Sequence, residues 1–283
     1  MGRVSGKVAF VTGAARGQGR SHAIRLAEEG ADIVAVDLCA PISTVPYDLS
    51  TPDDLAQTAK LVEEQDRRIL TRQVDVRDQA GLDATVADAI AEFGHIDIVV
   101  ANAGIATLGM SWELTEQQWD EMLAVNLTGV WKTAKAVIPS MIQAGRGGSI
   151  ILTSSIAGLL PFAGISHYVS AKHGVTGLMR ALALELGPHN IRVNSVHPAI
   201  VNTDMIHNEA TYSLFLPHLQ NPSLDEAADA LRSMNTLNVP WLEPLDISNM
   251  VLFLASEEAR RITGTTQVVD AGASFPFKIP HEP

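Results

Sequence analysis

Residues 166–174 read SHYVSAKHG. Tyr168 and Lys172 stand four positions apart, so on a helix they share one face. A free phenol titrates near pH 10 and is a poor base at neutrality. A neighbouring ammonium favours the phenolate, and lowering the pKa by about three units corresponds to roughly 4 kcal/mol. Tyr168 tuned in this way could take a proton from a hydroxyl, or return one to a carbonyl oxygen. Ser155 comes thirteen residues earlier, at the end of an apolar run. Its hydroxyl would face the same crevice and hydrogen-bond a substrate oxygen. Ser154 competes for that part, but along a strand its side chain points to the other face. Asn126, in LAVNLTG, puts a mediocre helix former inside a long helical pattern. It either holds a water that links Lys172 to solvent or is a plain polar helix residue. Tyr-x-x-x-Lys alone is equally an ordinary helix pair, and Ser155 is what strengthens it.

Seven apolar runs must position these groups: KVAFVTG, ADIVAVD, RRILTRQVDV, IDIVVANAG, GGSIILTSS, IRVNSVHP and TTQVVDAG. Between them lie helical patterns at about 18–29, 52–65, 79–93, 116–143 and 168–186, with DISNMVLFLAS before the last run. Strands that are apolar throughout and alternate with helices predict a parallel sheet covered on both faces. The expected fold is α/β and doubly wound, with seven parallel strands in one domain over 1–283. Thr51-Pro52 supplies an N-cap and a first-turn proline, Thr115 with Gln118 a capping box, and Gly187-Pro188 a helix stop.

After the first run comes TGAARGQG, with Gly13, Gly17 and Gly19. Glycines here permit a tight turn and let backbone N–H groups approach a pyrophosphate at a helix N-terminus. Arg16 and Gln18 stand among them. The next strand closes on Asp37, where a carboxylate can accept both ribose hydroxyls of an adenosine and repel a 2′-phosphate. That favours NAD over NADP, although Arg16 argues mildly the other way. Asp75-Val76 ends the third strand, and Asp75 could accept from an adenine amino group. Asn102-Ala103-Gly104 ends the fourth, and Asn102 either touches the cofactor or ties neighbouring strand ends. A nicotinamide cation beside Tyr168 would favour its phenolate further, and hydride transfer would accompany the proton transfer.

The chain has 283 residues, 46% apolar and 18% charged, with net charge −12. This composition supports a sizeable core and excludes global disorder. The acidic balance, with no basic tract, disfavours nucleic acid. Cys39 is the single cysteine, which excludes an intrachain disulfide and suits a reducing compartment. No apolar run reaches the ~20 residues of a spanning helix. MGRVSGKVAFVTG lacks the pattern of a signal peptide. A soluble, cytoplasmic protein is expected. The nine histidines show no ligand spacing, so no catalytic metal is expected.

Taken together, T-G-x-x-x-G-x-G at 12–19, N-A-G at 102–104, Asn126, Ser155 and Y-x-x-x-K at 168–172 resemble the short-chain dehydrogenase/reductase family. The resemblance covers almost the whole chain. It implies a Rossmann-like sheet, NAD(P)-linked alcohol/ketone chemistry and a homotetramer. It also implies that Asn126, Ser155, Tyr168 and Lys172 form a catalytic tetrad. In HPAIVNT, Pro198, Val201 and Thr203 keep the family's places near the nicotinamide amide, while Ala199 replaces a glycine. The loop DLCAPISTVPYDLSTPDDL, beginning at Asp37-Leu38, with WELT, AKHGVTGLMR and WLEPLDISN, resembles the mycofactocin-coupled, carveol-dehydrogenase-like branch. That branch implies a loop covering a non-exchanging NAD and an external redox carrier that recycles it. Residues 38–50 are then a cover over the cofactor; the alternative is a surface elaboration.

Residues 204–242 contain no clean strand and are expected to form a substrate lid. Tyr212, Leu214, Phe215, Leu216 and Trp241 suggest an apolar pocket for a hydrophobic alcohol or ketone such as a terpenoid. No arginine occurs between 204 and 231, which disfavours an anionic substrate held by the lid. The tail at 275–283 either reaches a neighbouring subunit or frays. Two classes of function remain: an NAD-dependent dehydrogenase, or a non-catalytic NAD-binding protein. Tyr168 and Lys172 favour the first, because binding alone has no use for them.

Overall fold

The computed structural model describes residues 2–216 and 222–276, with backbone only for Leu214 and Phe215. Strand β1 (Val8–Thr12) leads into α1 (Gly17–Glu28), then β2 (Asp32–Asp37), α2 (Pro52–Glu63), β3 (Ile69–Gln73) and α3 (Gln79–Phe93). Strand β4 (Ile98–Ala101) precedes α4 (Glu116–Leu123), a π-helical segment (Ala124–Gly129) and α5 (Val130–Ala144). Then come β5 (Gly148–Thr153), α6 (Ser166–Leu186), β6 (Ile191–Pro198), α7 (Glu209–Phe215), α8 (Leu224–Ser233), α9 (Pro244–Ala255) and β7 (Thr266–Val269). The strands form one sheet in the order β3-β2-β1-β4-β5-β6-β7, and all six pairings are parallel. This is the expected Rossmann-like, doubly wound architecture.

The side-chain period of two explains how uniformly apolar strands serve two cores. On β1, Ala9 and Val11 face one side, with Ala23 and Leu26 of α1, Leu55 of α2 and Val251 of α9. Val8 and Phe10 face the other, with Leu82 of α3, Val137 of α5 and Met179 of α6. The predicted caps form: Thr51 with Asp54, and Thr115 with Gln118, make reciprocal capping boxes. The single long helix expected over 116–143 contains the π-helical segment around Asn126. Extra residues in a helical turn commonly mark functional positions.

The sheet order reverses between β1 and β4. In open α/β sheets a ligand lies outside the carboxyl ends of the strands at such a point. The turns after β1 and β4 approach closely there. A Cβ on Gly13, whose φ is +66°, would stand 2.9 Å from the Ala103 Cα. A Cβ on Gly19 would meet the Gly13 carbonyl oxygen at 1.9 Å, so no side chain fits. Among the described residues no helix is long and apolar enough to cross a membrane. Residues 277–283 of the tail lie outside the described residues.

Candidate active site

A crevice runs along the carboxyl ends of β1 to β4. Its walls include Gly13, Arg16, Gly17, Gln18, Gly19, Asp37, Leu38, Asp75, Val76, Asn102, Ala103, Gly104 and Thr203. Helix α1 opens onto it with no side-chain cap and no acid in its first turn. Helix α2, by contrast, is capped by Thr51 and carries Asp53 and Asp54. The uncapped N–H groups and positive dipole end of α1 suit an anion. Asn102 donates its amide to the carbonyls of Thr12 (3.1 Å) and Gly13 (3.5 Å), so it ties the two strand ends while also lining the crevice.

Asp37 is buried and already well used. Its Oδ2 accepts from the Ala15 N–H at 2.9 Å; Oδ1 accepts from the Cys39 N–H at 3.1 Å and the Ser50 hydroxyl at 2.5 Å. A carboxylate offers about four acceptor positions. The Cys39 thiol also approaches Oδ1 at 3.9 Å, so the open acceptor position is on Oδ2, beside the Ala15 N–H. Asp75 is likewise engaged: Arg77 donates its backbone N–H at 2.8 Å and pairs its guanidinium with the carboxylate at 2.6 Å. Asp75 lines the crevice with its acceptors largely committed.

Residues 38–50 pack against the crevice. Ile42 is 7% exposed and clusters with Val76, Ile105, Met122 and Val125. Burying such a side chain is worth about 1.5–3 kcal/mol. Tyr47 accepts from the Ala106 N–H at 3.0 Å, and Thr44 donates to Glu121. Arg16 joins two segments over the crevice, donating to the Asp48 carbonyl and pairing with Asp204 at 2.8 Å. Arg16 is thereby committed to these partners. Cys39 is buried at φ +49°, and burial, with Asp37 nearby, pushes its thiol up to about 12.

The four residues expected to act together converge. Helix α6 carries Tyr168 and Lys172, with the Lys172 Nζ 5.5 Å from the Tyr168 ring centre. Lys172 is 3% exposed and donates to the Thr153 carbonyl at 2.8 Å. Ser155, just past β5, shares the cavity wall with Tyr168 and Lys172. Ser154 instead donates to the Lys172 carbonyl at 2.9 Å, as alternation on the strand requires. Asn126 accepts from the Ile105 N–H at 2.9 Å and donates to the Ile105 carbonyl at 2.8 Å. A Cβ on Gly104 would lie 3.4 Å from the Asn126 Oδ1 and 3.8 Å from the Lys172 Nζ, so both side chains flank the same point of the loop after β4.

One electrostatic expectation is corrected. Burial lowers Lys172 to about 8 and raises Tyr168, against which a hydrogen bond from Ser155 acts in the opposite direction. Desolvation is the largest influence on both groups: it favours the neutral phenol, while Lys172, at about 8, stays mostly charged at neutral pH.

Tyr168, Lys172 and Ser155 open into a cavity of about 350 Å³ that continues into the crevice past Gln18, Asn102, Gly104 and Thr203. Its walls are mostly apolar: Ile105, Leu108, Ile156, Phe162, Ile165, Ile200, Met205, Ile206 and Met234, with Pro198 and Val201 beside the tetrad. Of the expected lid aromatics, Tyr212 and Trp241 are not among them. Tyr212 hydrogen-bonds His207 at 2.7 Å, and Trp241 stacks edge-on against the same ring at 4.8 Å. They pack the lid itself, and Leu216 is buried. The Leu214 and Phe215 side chains lie outside the described residues. Ala199 has no positive φ, so it occupies the glycine position without strain. Its backbone and that of Asn202 are fixed by Val269 and Leu242.

A family model for short chain dehydrogenases matches residues 7–212. The chain belongs to the short-chain dehydrogenase family. It is 54% identical over 276 residues to a (−)-trans-carveol dehydrogenase of Rhodococcus erythropolis, covering 97% of this chain and 100% of that protein. The crystal structure of a carveol dehydrogenase from Mycobacterium avium in complex with NAD superposes with TM-score 0.95 at 54% identity, over 96% of this chain and 99% of that one. A short chain dehydrogenase from Mycobacterium paratuberculosis bound to NAD gives TM-score 0.89 at 45% identity, over 96% and 99%.

As a short-chain dehydrogenase the protein is an oxidoreductase, and every described residue nominated from its sequence for cofactor or chemistry lines the crevice, the cavity or their shared wall, Asn126 standing just behind. Sequence reasoning missed Tyr47, Ser50 and His197. Ser50 precedes a Thr-Pro helix start, a polar position that reads as a cap. His197 accepts at Nε2 from the Ser195 hydroxyl (2.7 Å) and donates from Nδ1 to the Ser155 carbonyl (2.8 Å), tautomer roles that follow from the carbonyl partner. A histidine alternating inward on a strand gave the one available signal. Among the described residues no group of three or more His, Cys, Asp or Glu is placed to hold a metal.

Proposed function

We propose that this short-chain dehydrogenase interconverts a hydrophobic secondary alcohol and its ketone, using NAD. The observation that carries the reading is one continuous space: a mostly apolar chamber with Tyr168, Ser155 and Lys172 on its wall, joined to the crevice of the glycine turn and Asp37. The glycine turn, the uncapped α1 and the remaining acceptor on Asp37 fit a dinucleotide, and the Asp37 carboxylate disfavours a 2′-phosphate. NAD, when bound, supplies the hydride acceptor and a cationic ring.

Ser155 holds the substrate oxygen by its hydroxyl and Tyr168 moves the proton at that oxygen. Lys172, fixed by the Thr153 carbonyl, places positive charge behind the phenol and binds the cofactor's sugar. Asn126 fixes the loop after β4 through both hydrogen-bonding groups of Ile105. Gly13, Gly17 and Gly19 cradle the pyrophosphate, Val76, Ala103 and Leu38 flank the base and ribose, and Pro198, Val201 and Thr203 face the nicotinamide. The mostly apolar chamber and the carveol dehydrogenase relatives support a cyclic terpenoid alcohol of carveol type.

Residues 38–50 act as a cofactor cover and 204–242 as the substrate lid, with Arg16 pinning one to the other. This supports an NAD that stays bound through turnover and is recycled in place by an external carrier of mycofactocin type. The assembly is a homotetramer, measurable by sedimentation.

Two experiments test the proposal. Tyr168→Phe abolishes turnover with carveol while NAD stays bound; retained turnover refutes the mechanism. The purified protein, denatured without added cofactor, releases near-stoichiometric NAD that survives incubation with isotope-labelled NAD. Rapid uptake of label reduces the protein to a dehydrogenase with exchanging NAD. A protein that binds NAD but turns over no alcohol across a terpenoid panel is a binding protein.

A further inference from the structure

Gln18 stands at the second position of α1 and borders both the crevice and the cavity. Its Oε1 is buried and has no hydrogen-bond partner among the described residues. The other polar side chains at this junction each have a hydrogen-bond partner. Asn102 donates to Thr12 and Gly13, the Thr203 hydroxyl donates to the Val201 carbonyl at 3.2 Å, and Lys172 donates to Thr153. A buried carbonyl left without a donor costs free energy that a ligand group restores.

The inference rests on the NAD reading above. A dinucleotide held by its ribose at Asp37 and reacting beside Tyr168 must set its pyridine ring where crevice meets cavity, and Gln18 lies on both walls there. The pyrophosphate carries no donor at neutral pH and would be repelled by a carbonyl oxygen. The carboxamide NH2 is a donor on the ring itself, and one primary amide can match another, donor to acceptor.

We infer that Gln18 binds the nicotinamide carboxamide, its Oε1 accepting from the carboxamide NH2. Gln18 is thus a recognition residue for the reactive half of the cofactor, separate from the adenosine half held at Asp37.

Calorimetric titration of the full-length chain, freed of copurified nucleotide, tests this with three ligands. They are NAD, 3-acetylpyridine adenine dinucleotide, which keeps the ring carbonyl but lacks the NH2, and ADP-ribose, which lacks the ring. Wild type should bind NAD about tenfold more tightly than the acetylpyridine analogue, the effect of one buried hydrogen bond. In Gln18→Met, which keeps length and loses polarity, that gap should close while ADP-ribose affinity stays within twofold. A gap that persists in Gln18→Met overturns the inference, as does a loss shared equally by ADP-ribose. Should the variant not fold, the wild-type comparison decides alone: equal affinity for NAD and its acetylpyridine analogue sinks it. Failure of wild type to bind ADP-ribose would instead sink the NAD reading, and this inference with it.

Discussion

Acid should unfold this protein through two histidines that the fold keeps neutral. His22 and His197 are both fully buried, and burial lowers them from 6.5 to about 3 and about 4. Above pH 7 both imidazoles are neutral whether the chain is folded or not, and they add no pH dependence. Below 6.5 the unfolded chain takes up protons that the folded chain refuses, so stability falls as pH falls. At pH 4.5, two units below the unfolded value, about 1.4 kcal/mol per unit and per proton gives somewhat under 3 kcal/mol for each histidine. The pair thus removes about 5 kcal/mol, comparable to the whole stability of a modest domain. The assay is urea unfolding between pH 8 and 4.5 for wild type, His22→Gln and His197→Asn. Each variant should show a stability slope between pH 6 and 5 shallower by about 1.4 kcal/mol per pH unit. Carboxylates such as Glu29 and Asp54, whose pKa values are lowered by backbone hydrogen bonds, titrate in all three proteins and cancel. One common slope for all three would refute the reasoning.

Because burial raises Tyr168, alcohol oxidation needs its deprotonated form and should accelerate as pH rises above neutrality, while ketone reduction should hold level there and decline only at higher pH; initial rates in both directions over pH 6–10 check this. Arg16→Ala cuts the link between Asp48 and Asp204, and labelled NAD should leave about tenfold faster, the loss of roughly one charge-assisted hydrogen bond. Asn126→Ala removes both hydrogen bonds to Ile105, so kcat should fall by about 10- to 100-fold with NAD affinity nearly unchanged. Cys39, buried with its thiol near 12, should resist a thiol reagent in the folded protein and react fully in denaturant.

Strand and helix positions were legible because they depend on local pattern. The alternation in VAFVT that splits Val8 and Phe10 from Ala9 and Val11 is present in the sequence itself. The crevice residues were legible for a related reason: a strand end, a glycine turn and an acid recur at fixed places in a doubly wound sheet. What could not be read were partners set by tertiary contact. Nothing near Tyr212 or Trp241 announces that His207 will take both, turning expected pocket walls into lid packing. Nor could the spacing of Tyr168 and Lys172 reveal that burial raises the phenol, since desolvation depends on everything packed around it.

Asp37 shows how closely the two kinds of information meet. Its place at the end of β2 makes it a candidate adenosine anchor, yet its acceptor count is decided by Ser50, thirteen residues on, and by Ala15, twenty-two residues back. The carboxylate that would grip the ribose also anchors the far end of the 38–50 loop. Tyr47 then ties the same loop to Ala106, and Asn126 ties neighbouring Ile105 to the helix that faces Lys172. Hydrogen bonds and chain neighbours thus run from Asp37 through the 38–50 loop to Asn126, which lies near Lys172 across Gly104. A substitution at Ser50 should consequently affect events at Tyr168 more than its distance along the chain suggests: Ser50→Ala removes one of the hydrogen bonds to Asp37 Oδ1 and loosens the loop end that positions Tyr47. Kinetics would register this as altered kcat together with altered NAD affinity, whereas a surface elaboration would leave both unchanged.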